Sequence, residues 1–225
     1  MKKLISKYEV TVVPAIIGAL ILALGFYVAT NEITPILNLL APYSLMITGF
    51  VAFFIAFGLP GIKDLFSKPS DPKGNIKNFF KYFILTAVLG ISASIFLQFV
   101  LKLNLTANPA SGHLFSLIAK IPFMLLGEEL ISFYILLVVA NLVYKKTGNQ
   151  KSAELFGIIL SSVIFGLLHY STYFNGNPFT TLIHILLIQG SARIAFNLSG
   201  LKSNSIIMPL IIHITYDLVM LGLFQ

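Results

Sequence analysis

The sequence contains no cysteine, and only 10% of its residues are charged, against roughly 25% in soluble domains. The first absence removes disulfide scaffolds and every cysteine nucleophile; the second removes an ordinary soluble globular protein. A glycine period and long low-complexity tracts are missing as well, which sets aside collagen-like and disordered chains. Arginine is almost missing, because fourteen of the fifteen basic residues are lysine. Nucleic-acid surfaces lean on arginine, so the net charge of +7 is not read as a nucleic-acid footprint.

What is present is apolar: 57% of the 225 residues are hydrophobic, and the mean hydropathy is +0.91. Such a surface faces lipid. At about 20 residues per crossing, seven crossings use ~140 residues and leave no room for a second folded domain. The expectation is an all-α, polytopic transmembrane helical bundle of about seven (six to eight) membrane helices, with 1–225 forming a single integral-membrane domain. Runs of low charge place the helices at 10–29, 36–59, 79–103, 114–144, 154–172, 179–199 and 204–224. The first is longer than a signal h-region and has no clear cleavage site after it, so it is read as a retained crossing. The fourth is too long for one straight crossing, so the stretch from His113 to Lys120 is expected along the interface, or the helix strongly tilted.

Lysines set the orientation. Twelve of the fifteen basic residues fall before the first helix or in alternate loops, such as Lys63, Lys68, Lys73, Lys77 and Lys81 between helices two and three. The remaining loops carry almost no basic residue, which predicts a cytoplasmic N-terminus in the cell membrane.

Ionisable side chains left inside the spans are costly unless paired or wetted. They are Lys120, Glu128, Glu129, His169, His184, Arg193, His213 and Asp217. Successive helical residues differ by about 100° in direction, so Glu128 and Glu129 cannot both face one cavity; one is expected to line a cavity and the other to bond a neighbouring helix. His213 and Asp217, four apart, share one helical face, which suits two metal ligands or a ligand and its hydrogen-bonded partner. His184, Arg193 and Lys120 are read as structural or interfacial. Helical rise of 1.5 Å per residue puts Glu128 and Glu129 about 24 Å from the cytoplasmic boundary, His169 about 22 Å, Asp217 ~20 Å and His213 ~13 Å, but Arg193 only about 12 Å. On that depth a Glu129–Arg193 pair is disfavoured.

In this order and spacing the residues resemble the CPBP family of intramembrane proteases, the CAAX-prenyl-protease and bacteriocin-processing group also called Abi. Its motifs EExxxR, FxxxH and HxxxN/D match Glu128-Glu129 with Phe133 in the arginine position, then Phe165 and His169, then His213 and Asp217. The resemblance spans 127–217 as a catalytic core and implies an intramembrane endopeptidase acting on a membrane-bound or lipidated peptide or protein; the lysine-heavy, arginine-poor composition suggests a bacterial one. It implies Glu128, Glu129, His169, His213 and Asp217 as the catalytic set. Glu128 activates water with help from His169, and His213 and Asp217 orient or stabilise the tetrahedral intermediate. A divalent ion on His169, His213 and Glu128 is the other route; three such ligands with an open position suit zinc. Phe133 stands where the resemblance expects an arginine paired to an acid. That departure supports an alternative, a catalytically silent member that binds a bacteriocin or cell-envelope enzyme as an immunity or scaffold protein.

Overall fold

The computed structural model describes residues 2–69, 71–108 and 117–223. Ten α-helices carry the described chain: α1 (Lys2–Lys7), α2 (Val12–Thr30), α3 (Pro35–Leu65), α4 (Pro72–Ile95), α5 (Ile121–Thr147), α6 (Gln150–Leu168), α7 (Tyr170–Tyr173), α8 (Pro178–Ile185), α9 (Ser191–Ser203) and α10 (Ile207–Leu223). A π-helical turn at Phe96–Val100 extends α4, and another at Leu186–Gly190 joins α8 to α9. Among the described residues, six helical stretches are long and apolar enough to cross a membrane, and the shorter apolar Ile207–Gly222 follows them. The fold is thus a polytopic helical bundle. The fourth span begins at Ile121 and runs on to Thr147, three residues past its expected end. The expected interfacial stretch is described only from Leu117, where a turn leads to an exposed Lys120; His113 and residues 114–116 lie outside the described residues.

Helices α2 and α3 form a hairpin. Thr34 starts α3 by accepting from the Leu37 amide at 3.3 Å, with Pro35 in the first helical position, where its missing N–H costs nothing. Close approach comes from small residues, as expected where lipid offers no hydrophobic drive between helices: a Cβ at Gly25 would collide with Thr48, and one at Gly18 with the Tyr134 ring of α5. Gly58, at φ +66°, interrupts α3 just before Pro60. The break turns the Gly61–Leu65 end so that Asp64 receives Lys7 Nζ at 2.7 Å and the Tyr8 hydroxyl at 2.8 Å. These bonds seat the short α1, whose Leu4 and Ile5 are fully buried. The Asp64 carboxylate also holds the Lys7 ammonium above its ordinary pKa.

Asn141 of α5 completes that attachment. Its Nδ2 donates to the carbonyls of Ile5 (2.9 Å) and Tyr8 (2.6 Å), and its Oδ1 accepts from the Val10 amide at 3.2 Å. Leucine at 141 would fill the volume and leave three backbone groups unpaired, those of Ile5 and Val10 buried and that of Tyr8 partly so. At about 1–3 kcal/mol for each orphaned group, Asn141→Leu is expected to lower the thermal midpoint in detergent and to expose the 2–10 segment to protease. An unchanged midpoint would show that these bonds contribute nothing.

Helix α5 is the most buried of the spans, while α2, α3 and α4 turn much of their apolar surface outward. Gly148 at φ +64° ends α5, and Asn149 caps α6 by accepting from the Ser152 amide at 3.1 Å, so α6 folds straight back along α5. Gly157 permits the contact, since a Cβ there would sit 2.6 Å from the Leu136 carbonyl oxygen. On the other side α9 packs on α4, and α10 packs on α4, α5 and α9. The α9–α10 connection is buried along one side: Ser199, Ser203, Ser205 and Ile206 are inside while Lys202 is exposed, and the Ile206 amide donates to the Leu65 carbonyl at 3.0 Å. Helix α9 thus ends with one side against α3 and with Lys202 exposed, as Lys145 and Lys146 are at the end of α5.

Candidate active site

The acidic pair divides as the helical twist requires. Glu129 points from α5 into the bundle and is wholly buried, while the Glu128 side chain keeps 26% of its surface exposed. Glu129 is fully committed: its Oε1 accepts from Arg193 Nη1 at 2.7 Å and from His213 Nδ1 at 2.9 Å, and its Oε2 accepts from Arg193 Nη2 at 2.6 Å. Arg193 is the largest of the fully buried side chains and forms a two-pronged pair, the geometry in which guanidinium and carboxylate bind best.

This pair corrects the expectation that depth keeps Arg193 apart from Glu129. Helix α9 runs on to Ser203, four residues past the expected end at 199, and how the helices pack, rather than a count of residues along each, sets which side chains meet.

The guanidinium is held on every side. Its Nε donates to Asn197 Oδ1 at 3.2 Å, and Asn197 Nδ2 reaches the hydroxyls of Ser161 (3.4 Å) and Ser162 (3.3 Å) on α6. Three rings surround it, with centroids 5.4 Å (Phe133), 5.2 Å (Phe165) and 5.3 Å (Phe196) from Cζ, within cation–π range. Phe133 is thus a wall of the arginine's enclosure.

His213, brought in by α10, is fixed at one face and one edge. Phe196 stacks on it at 4.4 Å, and Glu129 takes its Nδ1 hydrogen. Its Nε2 then looks toward Glu128 Oε2 at 4.0 Å and Asp217 Oδ1 at 3.8 Å. Asp217 keeps 28% of its side chain exposed on the same side as Glu128. The i, i+4 spacing of His213 and Asp217 does place them together.

His169 caps the end of α6. Its Nδ1 lies 2.9 Å from the Phe165 carbonyl, one turn back; donating there leaves Nε2 as the free, accepting nitrogen. Its ring packs on Phe165 at 4.7 Å, and Phe165 in turn faces His213 at 6.4 Å, so one phenyl ring separates the two imidazoles. Among the described residues no three His, Cys, Asp or Glu side chains converge closely enough to hold a metal ion. His169, His213 and Glu128 are among the side chains that stay apart in this arrangement.

Sequence reasoning passed over two more neighbours. Tyr173, four residues past His169, is nearly buried, stacks beside His169 at 6.2 Å, and interacts with the charges of Asp217 and Glu128. Burial pushes its hydroxyl well up from the ordinary value, and a hydrogen bond with the Gln189 side chain acts against that rise. Gln189 lies in the π turn, a feature that often marks functional positions. His184 is buried against Tyr173 at 4.8 Å, and its Nδ1 finds no partner among the described residues, in keeping with a packing role.

Residues 108–219 match the family model described as type II CAAX prenyl endopeptidase, Rce1-like. Comparison with curated proteins and with solved structures found no match to either.

Proposed function

The chain belongs to the Rce1-like CAAX prenyl endopeptidase family, and from that premise we propose that it is an intramembrane endopeptidase whose general base is Glu128. One observation carries this assignment of roles. Of two adjacent acids, Glu129 is sealed and fully bonded, whereas Glu128 is accessible and stands beside an oriented histidine and a second carboxylate.

Glu128 takes a proton from a water that the lone pair of His169 Nε2 helps to hold. The water oxygen attacks the scissile carbonyl carbon, and the carbonyl electrons move to oxygen as the tetrahedral intermediate forms. His213, when its Nε2 carries a proton, donates to that oxyanion, with Glu129 holding the ring through Nδ1 and the Asp217 carboxylate lying 3.8 Å from Nε2. As the carbon–nitrogen bond breaks, Glu128 returns its proton to the leaving amine. The substrate class is a membrane-associated or lipidated peptide or protein, reached within the bilayer, in the cell membrane of a bacterium. Comparison of membrane-peptide profiles from cells carrying wild type and Glu128→Ala tests the reading: an intact precursor should accumulate in the variant, and identical profiles would overturn it.

The orientation we propose, N-terminus in the cytoplasm, rests on the lysine-rich loops. The absence of cysteine makes its test clean. A single cysteine at the exposed Lys68 should react with a membrane-impermeant maleimide only in inverted vesicles, and one at the exposed Asn175 only in intact cells. The reverse pattern would invert the topology.

A further inference from the structure

We propose that Arg193 is the positioning residue of this site: from α9 it supplies Glu129 with the positive charge that position 133 on α5 does not, and so keeps His213 aimed between Glu128 and Asp217. The inference rests on the endopeptidase reading for its activity arm and on geometry alone for its stability arm.

Glu129 Oε1 is shared by Arg193 Nη1 and His213 Nδ1. The planar fork therefore sets the plane of the carboxylate, and that plane sets the imidazole. A residue at 133 lies one helical turn beyond Glu129, on the same face, and a guanidinium from there would enter the space that the Arg193 guanidinium fills, 5.4 Å from the Phe133 ring. The phenyl leaves that space to Arg193 and closes one side of it. Composition points the same way. In a chain with fourteen lysines, the single arginine sits at a buried position that uses a two-pronged donor, which lysine cannot reproduce. The fork is also braced from α6 through Asn197, Ser161 and Ser162, more support than a charge merely neutralising an acid requires.

The test uses the full chain in lipid nanodiscs, with turnover of a membrane-peptide substrate and thermal midpoint as readouts. Arg193→Leu should lower turnover by about 100-fold or more, and Arg193→Lys, which keeps the charge but loses the fork, by about tenfold with KM little changed. Phe133→Arg alone sets two cations against one carboxylate and should lower turnover and midpoint. In the Phe133→Arg/Arg193→Leu double variant the charge returns from α5, and turnover should recover to within about tenfold of wild type, a non-additive result that two uncoupled positions would not give. A double variant no more active and no more stable than Arg193→Leu would overturn the assignment. Should wild type cleave nothing, the endopeptidase reading fails instead, and the thermal cycle decides by itself: coupling between 133 and 193 supports the assignment, and additivity overturns it.

Discussion

Glu128→Gln is expected to reduce peptide hydrolysis by about 10³- to 10⁴-fold, the scale of a lost general base, while the protein inserts and melts like wild type. The amide keeps the size and shape of the side chain but cannot accept the water's proton. Little else should change, because Glu128 is partly exposed and its nearest ionic neighbour, His213 Nε2, is 4.0 Å away, beyond hydrogen-bonding distance. No buried group loses a partner. The loss should therefore fall on kcat, with KM almost unmoved, as for an interaction made chiefly in the transition state. Single-turnover cleavage of a membrane peptide by the purified variant measures this directly. Turnover near the wild-type rate would remove Glu128 from the chemistry and shift attention to Asp217, the other accessible carboxylate beside His213.

The sequence makes some of this site legible and hides the rest for physical reasons. The spans can be read because a bilayer demands long runs without charge, and the acids stand out because such runs tolerate none without cause. The helical angle between neighbours is enough to say that Glu128 and Glu129 face different surroundings, and spacing is enough to put His213 beside Asp217. Arg193 is misread because its partner is 64 residues away on another helix, and residue counts along separate helices do not say which positions meet. Serines at 199, 203 and 205 resemble an ordinary polar connector at the membrane surface; their burial depends on the Leu65 carbonyl receiving the Ile206 amide across the bundle. The π turn that carries Gln189 toward Tyr173 escapes notice for another reason, since one extra residue in a helical turn leaves no trace in composition. Phe133, taken as a missing arginine, is an aromatic wall for an arginine that arrives from elsewhere.

The buried pair also separates what the site needs for folding from what it needs for chemistry. Glu129→Leu leaves the Arg193 charge fully enclosed with Asn197 and three rings as its company, and loss of one partner of such a pair costs about 3–5 kcal/mol. That variant should show a sharply lowered thermal midpoint and no cleavage. Apolar replacement of both partners is different: Glu129→Leu/Arg193→Met removes both charges together, and well-packed apolar substitutes for a buried ion pair are often neutral in stability. The double variant should regain most of the lost midpoint, since Phe133, Phe165 and Phe196 already form an apolar enclosure for the methionine. It should nevertheless stay inactive. His213 Nδ1 loses its acceptor with Glu129, and its ring is then free to turn away from Glu128 and Asp217. Thermal melts and cleavage assays on the two single variants and the double complete the cycle. Recovery of stability without activity assigns the Glu129–Arg193 pair to positioning; recovery of both would mean that Phe196, stacked on the imidazole at 4.4 Å, orients His213 without help from the carboxylate.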